Sequence, residues 1–274
     1  DEEFKGFHFY DLSFCFPNYL DGCNIGVTTT IRILHKSVGM TNPQWEENKK
    51  QFAKKYADEL PISVTPTYKD FIPVLTNEPK VSIIIPTKNN FKYLKNNIYS
   101  WQECVEYNNY EIIIADTGSD PEVIEQYNEF FNNKIKVVKY DYYNFAKINN
   151  DVVKNNISED TELILFCNDD IKLINDALSM CIDVYNKNKD NVGTIGIRLH
   201  FGNGNVQHNG IILFTDTNGS IRLSHKDFKK PDNYQTGINY NSIGNTGAFL
   251  LIKKELFSSL GGFNENYVEC LEDV

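Results

Sequence analysis

The sequence predicts an α/β protein: a mainly parallel sheet with flanking helices. From residue 80 onward, short runs of consecutive apolar residues alternate with stretches of helical length. Runs that are apolar throughout, rather than at every second position, belong to strands buried on both faces, the condition of a parallel sheet under helices. Each run also ends in Pro, Thr, Asn or Asp. In open α/β sheets the carboxyl ends of the strands form the ligand crevice, so the polar residues fall where chemistry is expected.

Residues 1–38 hold a short helical or irregular stretch and then a strand-like Val/Thr/Ile run over 24–34. Residues 41–60 read as a helix: Asn42 can cap it, Pro43 suits its first turn, and Trp45, Phe52 and Tyr56 fall near one face as core contacts. Residues 61–79 contain Pro61, Pro66, Pro73 and Pro79 without a clear period, as expected of a linker or extended strap. The regular alternation then begins. Strands are expected at 81–85, 111–115, 135–140 and 163–167, with helices at 91–106, 121–132 and 147–156. A further strand-sized apolar run covers 247–252.

Composition excludes several classes. A chain of 274 residues with 41% hydrophobic content can bury a large core. With 27 Lys and Arg against 37 Asp and Glu the formal charge is −10, a field that repels nucleic-acid backbones. An anionic ligand must therefore be held locally, by backbone amides or a metal ion. The cysteines (Cys15, Cys23, Cys104, Cys167, Cys181, Cys270) are scattered without a CxxC pair, which reads as reduced thiols in a cytosolic compartment. No run reaches the length of a transmembrane segment. The chain opens on Asp1 and stops at Glu272-Asp273-Val274, so a piece of a longer polypeptide is expected.

Three strand ends carry the candidate chemistry. Pro86, Thr87 and Asn89 follow the first strand, Asp116 the second, and Asn168-Asp169-Asp170 the fourth. Any one of them alone is ordinary turn chemistry. A carboxylate pair after a wholly apolar strand, with another Asp at a nearby strand end, is more than that. Clustered carboxylates in a cleft suit a hard divalent cation that bridges substrate phosphates.

These segments resemble family 2 glycosyltransferases of the GT-A fold, a Rossmann-like architecture for nucleotide-diphospho-sugars. Val81-Ser82-Ile83-Ile84-Ile85-Pro86-Thr87-Lys88-Asn89 is similar to the family's opening strand, and Asp116-Thr117-Gly118-Ser119-Asp120 to its second motif. Phe145-Ala146-Lys147-Ile148-Asn149-Asn150 resembles the segment before the metal motif. Leu165-Phe166-Cys167-Asn168-Asp169-Asp170 resembles the metal motif itself, with Asn168 where many members carry Asp. Val206-Gln207-His208-Asn209-Gly210 and the stretch from Gly247 to Phe263 are similar to acceptor-side segments.

The resemblance implies inverting transfer of a sugar from a nucleotide-diphosphate donor, UDP first among the nucleotides, to a carbohydrate or lipid-linked acceptor. It implies nucleotide contacts from Pro86, Thr87, Asn89, Asp116, Asn149, Asn168 and Asp169, and a divalent metal (Mn or Mg) on Asp170. The general base it implies is Asp273, with Glu272 as the neighbouring alternative. It further implies a cytoplasmic setting, extending to the inner face of the membrane. Phe9 to Cys15 resembles the base motif once more, so Asp11 aligns with Asp273, and the segment at Ile33 to Gly39 resembles a late strand whose His35 reaches the metal or diphosphate. Residues 1–60 thus resemble the tail of one such domain and 80–274 the head of a second, truncated at its end, with 61–79 as linker. Residues 1–60 either belong to a preceding domain or pack on the head as a permuted complement. Two other functions compete: a sugar nucleotidyltransferase, against which the missing Gly-rich loop counts, and a non-catalytic nucleotide-sugar or carbohydrate-binding module.

Overall fold

A computed structural model of the chain describes residues 4, 9–23, 25, 42–60, 73–131, 135–231 and 241–267. The chain forms two compact units, Asp1–Pro66 and Thr67–Val274. The first unit holds helices α1 (Tyr10–Leu20) and α2 (Pro43–Lys55). As the sequence predicts, Asn42 caps α2, its side-chain oxygen accepting from the Trp45 N–H at 2.8 Å, and Pro43 occupies the first turn. Phe4, Phe9, Phe52 and Tyr56 form the buried core of this unit, with Phe16, Trp45 and Leu60 packed against them. The strand expected at 24–34 falls outside the described residues.

The second unit is built on a six-stranded sheet. In chain order its strands are β1 (Val81–Thr87), β2 (Tyr110–Asp116), β3 (Lys136–Lys139), β4 (Leu163–Cys167), β5 (Thr194–Gly196) and, much later, β10 (Phe249–Lys253). The spatial order is β3-β2-β1-β4-β10-β5. β1 runs parallel to β2 and β4, and β2 parallel to β3. The apolar run at 247–252 supplies β10, which is antiparallel to both β4 and β5. The sheet is therefore mainly parallel. It is covered on both faces because β1 is apolar on both: Val81, Ile83 and Ile85 enter one core cluster and Ile84 the other.

Helices α3 (Phe91–Cys104), α4 (Pro121–Phe131) and α6 (Ala177–Lys187) supply the first cluster, through residues such as Trp101, Tyr127 and Ile182. Helices α5 (Phe145–Asn155) and α7 (Lys254–Ser259) supply the second, through Ile148, Val152 and Phe257. Two short antiparallel ribbons complete the unit: β6 (Leu199–His200) with β7 (Val206–His208), and β8 (Ile211–Thr215) with β9 (Ile221–His225). Among the described residues no helix is long and apolar enough to cross a membrane.

Candidate active site

Chain order positions the crevice. From β1 the chain steps outward to β2 and β3, then returns to the other side of β1 as β4. The winding direction reverses between β1 and β4, and at such a switch point the loops leaving two parallel neighbours part and leave a cleft. Thr87 ends β1 in register with Asp116 at the end of β2. Asn168, Asp169 and Asp170 follow β4 directly. Sequence and topology thus bring Thr87, Asp116 and Asp169 to three adjacent strand ends.

Asp116 is 2% exposed. Its Oδ1 accepts the backbone N–H groups of Gly118 (3.2 Å) and Ser119 (3.0 Å), which sets the turn after β2; Gly118, at φ 93°, takes the left-handed conformation that glycine accepts most readily. Its Oδ2 has no hydrogen-bond partner. A buried carboxylate oxygen without a donor is costly unless a ligand supplies one. Asp116 also lines an open cleft of about 440 Å³ with Gly118, Ser119, Ile124, Lys139 and Tyr140.

Asp169 Oδ2 accepts from Thr87 Oγ1 at 2.7 Å and from Asn90 Nδ2 at 3.0 Å, so the β4 loop is tied to the end of β1. Burial pushes the Asp169 carboxyl above its ordinary range; the Thr87 and Asn90 bonds pull it down, and the Asp170 charge adds to the rise. Asp170 is exposed. The loop is held from beneath by α3, where Asn97 Nδ2 donates to the carbonyls of Asn168 (3.1 Å) and Ile171 (2.9 Å). Ser100 Oγ accepts from the Leu173 N–H at 3.0 Å. Asn97 and Ser100 were missed in the sequence. The available signal was polar residues on the buried side of an amphipathic helix.

Asn89 lies in the crevice, at φ 51°, but its amide serves the fold: Oδ1 accepts from the Asp120 N–H (2.7 Å) and Nδ2 donates to Asp120 Oδ2 (3.1 Å). Pro86 is half-buried opposite Ala115. Asn149 is fully buried on α5, donating to the Phe145 carbonyl at 2.9 Å with its own Oδ1 unpartnered. Asn168 is half-buried and tied through its backbone. Asp11 is exposed in the first turn of α1, within the other unit. His35, Glu272 and Asp273 lie outside the described residues.

The residues present fit a cation that takes most of its ligands from elsewhere. Among the described residues no three His, Cys, Asp or Glu converge. Asp169 and Asp170 provide adjacent carboxylates, and the rise at Asp169 is the electrostatic strain that a cation relieves. A site of one or two carboxylates completed by ligand phosphate oxygens and water is the usual arrangement for Mg²⁺.

A histidine pair lies between the two small ribbons. His208 is 2% exposed and its Nδ1 is 2.7 Å from Nδ1 of His225. The Gly210 N–H donates to His208 Nε2 at 3.2 Å, so Nε2 is an acceptor. The His208 proton is thereby assigned to Nδ1, donated to His225. Burial first, and the neighbouring His225 second, lower the His208 pKa to about 4.

A doubly wound, mainly parallel α/β sheet with an acidic crevice at its switch point defines the Rossmann-like class. The chain belongs to glycosyl transferase family 2, whose model matches residues 82–261. This bears out the GT-A expectation. The O-antigen biosynthesis protein RfbC of Myxococcus xanthus is 29% identical over 201 residues, covering 72% of this chain and 15% of that protein. The uncharacterized protein y4gI of Sinorhizobium fredii is 26% identical over 229 residues, covering 78% of this chain and 24% of its own length. The chain thus spans less than a quarter of either curated relative. Among solved structures, the mannosyltransferase PcManGT from Pyrobaculum calidifontis, in complex with GDP-Man and Mn2+, matches with TM-score 0.47 and 16% identity, over 80% of this chain and 55% of that one. S. aureus TarS 1-349 in complex with UDP-GlcNAc matches with TM-score 0.49 and 18% identity, over 71% and 51%.

Proposed function

We propose that the second unit binds a nucleoside-diphosphate sugar across the carboxyl ends of β2, β1 and β4 and transfers the sugar, with inversion, to a carbohydrate or lipid-linked hydroxyl acceptor. The observation that carries this reading is Asp116, with one oxygen fixed by the turn and the other buried without a donor. A nucleobase imide N–H supplies that donor. The base then lies at β2 and the diphosphate reaches the Asp169–Asp170 loop two strands away, about 10 Å at the spacing of neighbouring strands. Family membership supports transfer as the chemistry, and the resemblance of the motifs favours UDP among the nucleotides.

Asp170, with Asp169 beside it, would hold a divalent cation there. When bound, that cation neutralises charge on the diphosphate leaving group. Thr87 and Asn90 keep Asp169 oriented toward the crevice by their two hydrogen bonds. Inversion requires a base on the opposite side of the sugar from the leaving group. By the motif resemblance that base would be Asp273, with Glu272 as the alternative, taking the proton of the acceptor hydroxyl as it attacks.

Asp116→Asn tests the reading. The Asn keeps Oδ1 for Gly118 and Ser119 and turns Oδ2 into a donor, so the turn survives while an N–H ligand meets another N–H. Calorimetric titration with UDP should show affinity falling by about tenfold or more, the cost of one mispaired buried hydrogen bond. Unchanged affinity for UDP would reject Asp116 as the base-reading residue.

A further inference from the structure

We propose that the β8–β9 ribbon and the segment after it form a docking surface for an anionic lipid bilayer. The proposal rests on the ribbon's own surface and is independent of the donor reading. Six large apolar side chains stand exposed over residues 212–228: Ile212 (39%), Leu213 (57%), Phe214 (46%), Ile221 (75%), Leu223 (45%) and Phe228 (42%). Register divides the strand residues between the ribbon's two faces: Leu213, Ile221 and Leu223 share one and Ile212 and Phe214 the other, and exposed apolar side chains gathered on one face mark an interaction surface. The ribbon's inner end is anchored, with Ile211 only 7% exposed and its N–H donating to the Gly244 carbonyl at 3.0 Å. Beyond Ile211 the apolar side chains of both strands stand exposed, most of all Ile221 beside the turn. Register sets Leu213 opposite Leu223 and Thr215 opposite Ile221 on one face, and Phe214 opposite Arg222 on the other.

Charge selects the partner. Residues 211–231 carry Arg222, Lys226, Lys229 and Lys230 against Asp216 and Asp227, a surplus of +2 in a chain of net charge −10. An anionic surface attracts this segment and repels the rest of the chain, which fixes orientation as well as affinity. A second copy would bring one positive ribbon against another. Lys229 Nζ lies 5.1 Å from the Phe228 ring centroid, an aromatic body with a cationic tip, the pairing suited to a headgroup boundary. The turn between the strands is polar, and Asp216 is paired with Arg222 at 2.9 Å. That polar tip keeps the ribbon from passing through hydrocarbon. It lies along the interface, with the Leu213–Leu223–Ile221 face against the acyl boundary.

The test is co-sedimentation of the whole chain with vesicles of phosphatidylcholine alone or mixed with phosphatidylglycerol. Binding is expected only to the mixed vesicles and should weaken as salt rises. The variant Leu213→Ser/Ile221→Ser/Leu223→Ser should lose binding. The separate variant Lys229→Glu/Lys230→Glu should weaken it by roughly tenfold or more. Both variants should retain wild-type UDP affinity, which separates loss of docking from loss of fold or of the donor site. If the serine variant does not fold, the charge variant decides alone. No binding to mixed vesicles, or equal binding to neutral ones, overturns the proposal. So does a dimer in sedimentation velocity that the serine variant abolishes, because that assigns the patch to a second copy.

Discussion

Asp116 and Asp170 are the same functional group in two environments, and the difference predicts how each responds to removal. Asp116 is buried and half committed to the turn after β2. Asp170 is exposed and contributes little packing. Asp170→Ala should therefore change stability by no more than about 0.5 kcal/mol, as surface substitutions do. Transfer should fall by on the order of a hundredfold or more if its carboxylate holds the cation, since such a cation is worth several kcal/mol to the leaving group. Thermal melting beside a sugar-transfer assay with Mn²⁺ checks both halves. Full activity with excess chelator in the variant would remove the metal role. Asp116, Asp169 and Asp170 were legible in the sequence because the chain changes there from wholly apolar to acidic. The structural task of Asn89 was not, because a loop amide looks the same whether it faces a ligand or clasps Asp120. Asn97 was hidden for a related reason: its partners, the carbonyls of Asn168 and Ile171, lie more than 70 residues away.

The elements beyond β4 were the less legible part of the fold. Strands β1 to β4 announce themselves through unbroken apolar runs, and helices α3 to α5 through what lies between. The two small ribbons do not, since β6 and β7 have only two and three residues and β8 and β9 keep apolar side chains on exposed positions. Backbone bonds tie β7 to the segment after β9, Val206 N–H to the Lys230 carbonyl at 2.9 Å and Lys229 N–H to the Val206 carbonyl at 2.8 Å, and one side-chain contact, His208 on β7 to His225 on β9, adds a pH signature. His208 has a folded-state pKa of about 4 against 6.5 for an ordinary histidine, so the fold prefers the neutral ring. Above pH 6.5 both folded and unfolded states carry it neutral, and the stabilisation is fully present. As pH falls from 6.5 toward 4 the unfolded chain binds a proton that the folded one does not, and stability declines. The loss should approach about 3 kcal/mol at the acid end of that window. Urea unfolding across this range, compared with His208→Gln, measures it: the variant should show a flatter slope. Equal slopes would mean that His208 is hydrated in solution and that the pair adds nothing to the backbone bonds between the ribbons.

At the scale of the molecule, the two units have separate cores. The aromatic cluster of Phe4, Phe9, Phe52 and Tyr56 belongs to the first, and both clusters flanking the sheet belong to the second. Each core also contains one of the chain's two tryptophans, Trp45 packed on the aromatic cluster and Trp101 fully buried under the sheet. Units with their own cores unfold independently unless their interface is large, and two-state behaviour then fails for the chain as a whole. Trp45→Phe leaves Trp101 as the sole indole, so its fluorescence follows the second unit in urea, and the difference from wild type follows the first. Two non-coincident transitions are expected, with the Trp101 transition the later one, because the second unit, Thr67–Val274, is much the longer and a longer chain buries a larger share of its surface. UDP should shift only the Trp101 transition, since a ligand stabilises the cooperative unit that binds it. A single transition at both indoles, moved as one by UDP, would instead mean one cooperative core. That outcome would favour the reading in which residues 1–60 complete the domain that begins at residue 80 over the one in which they belong to a preceding domain.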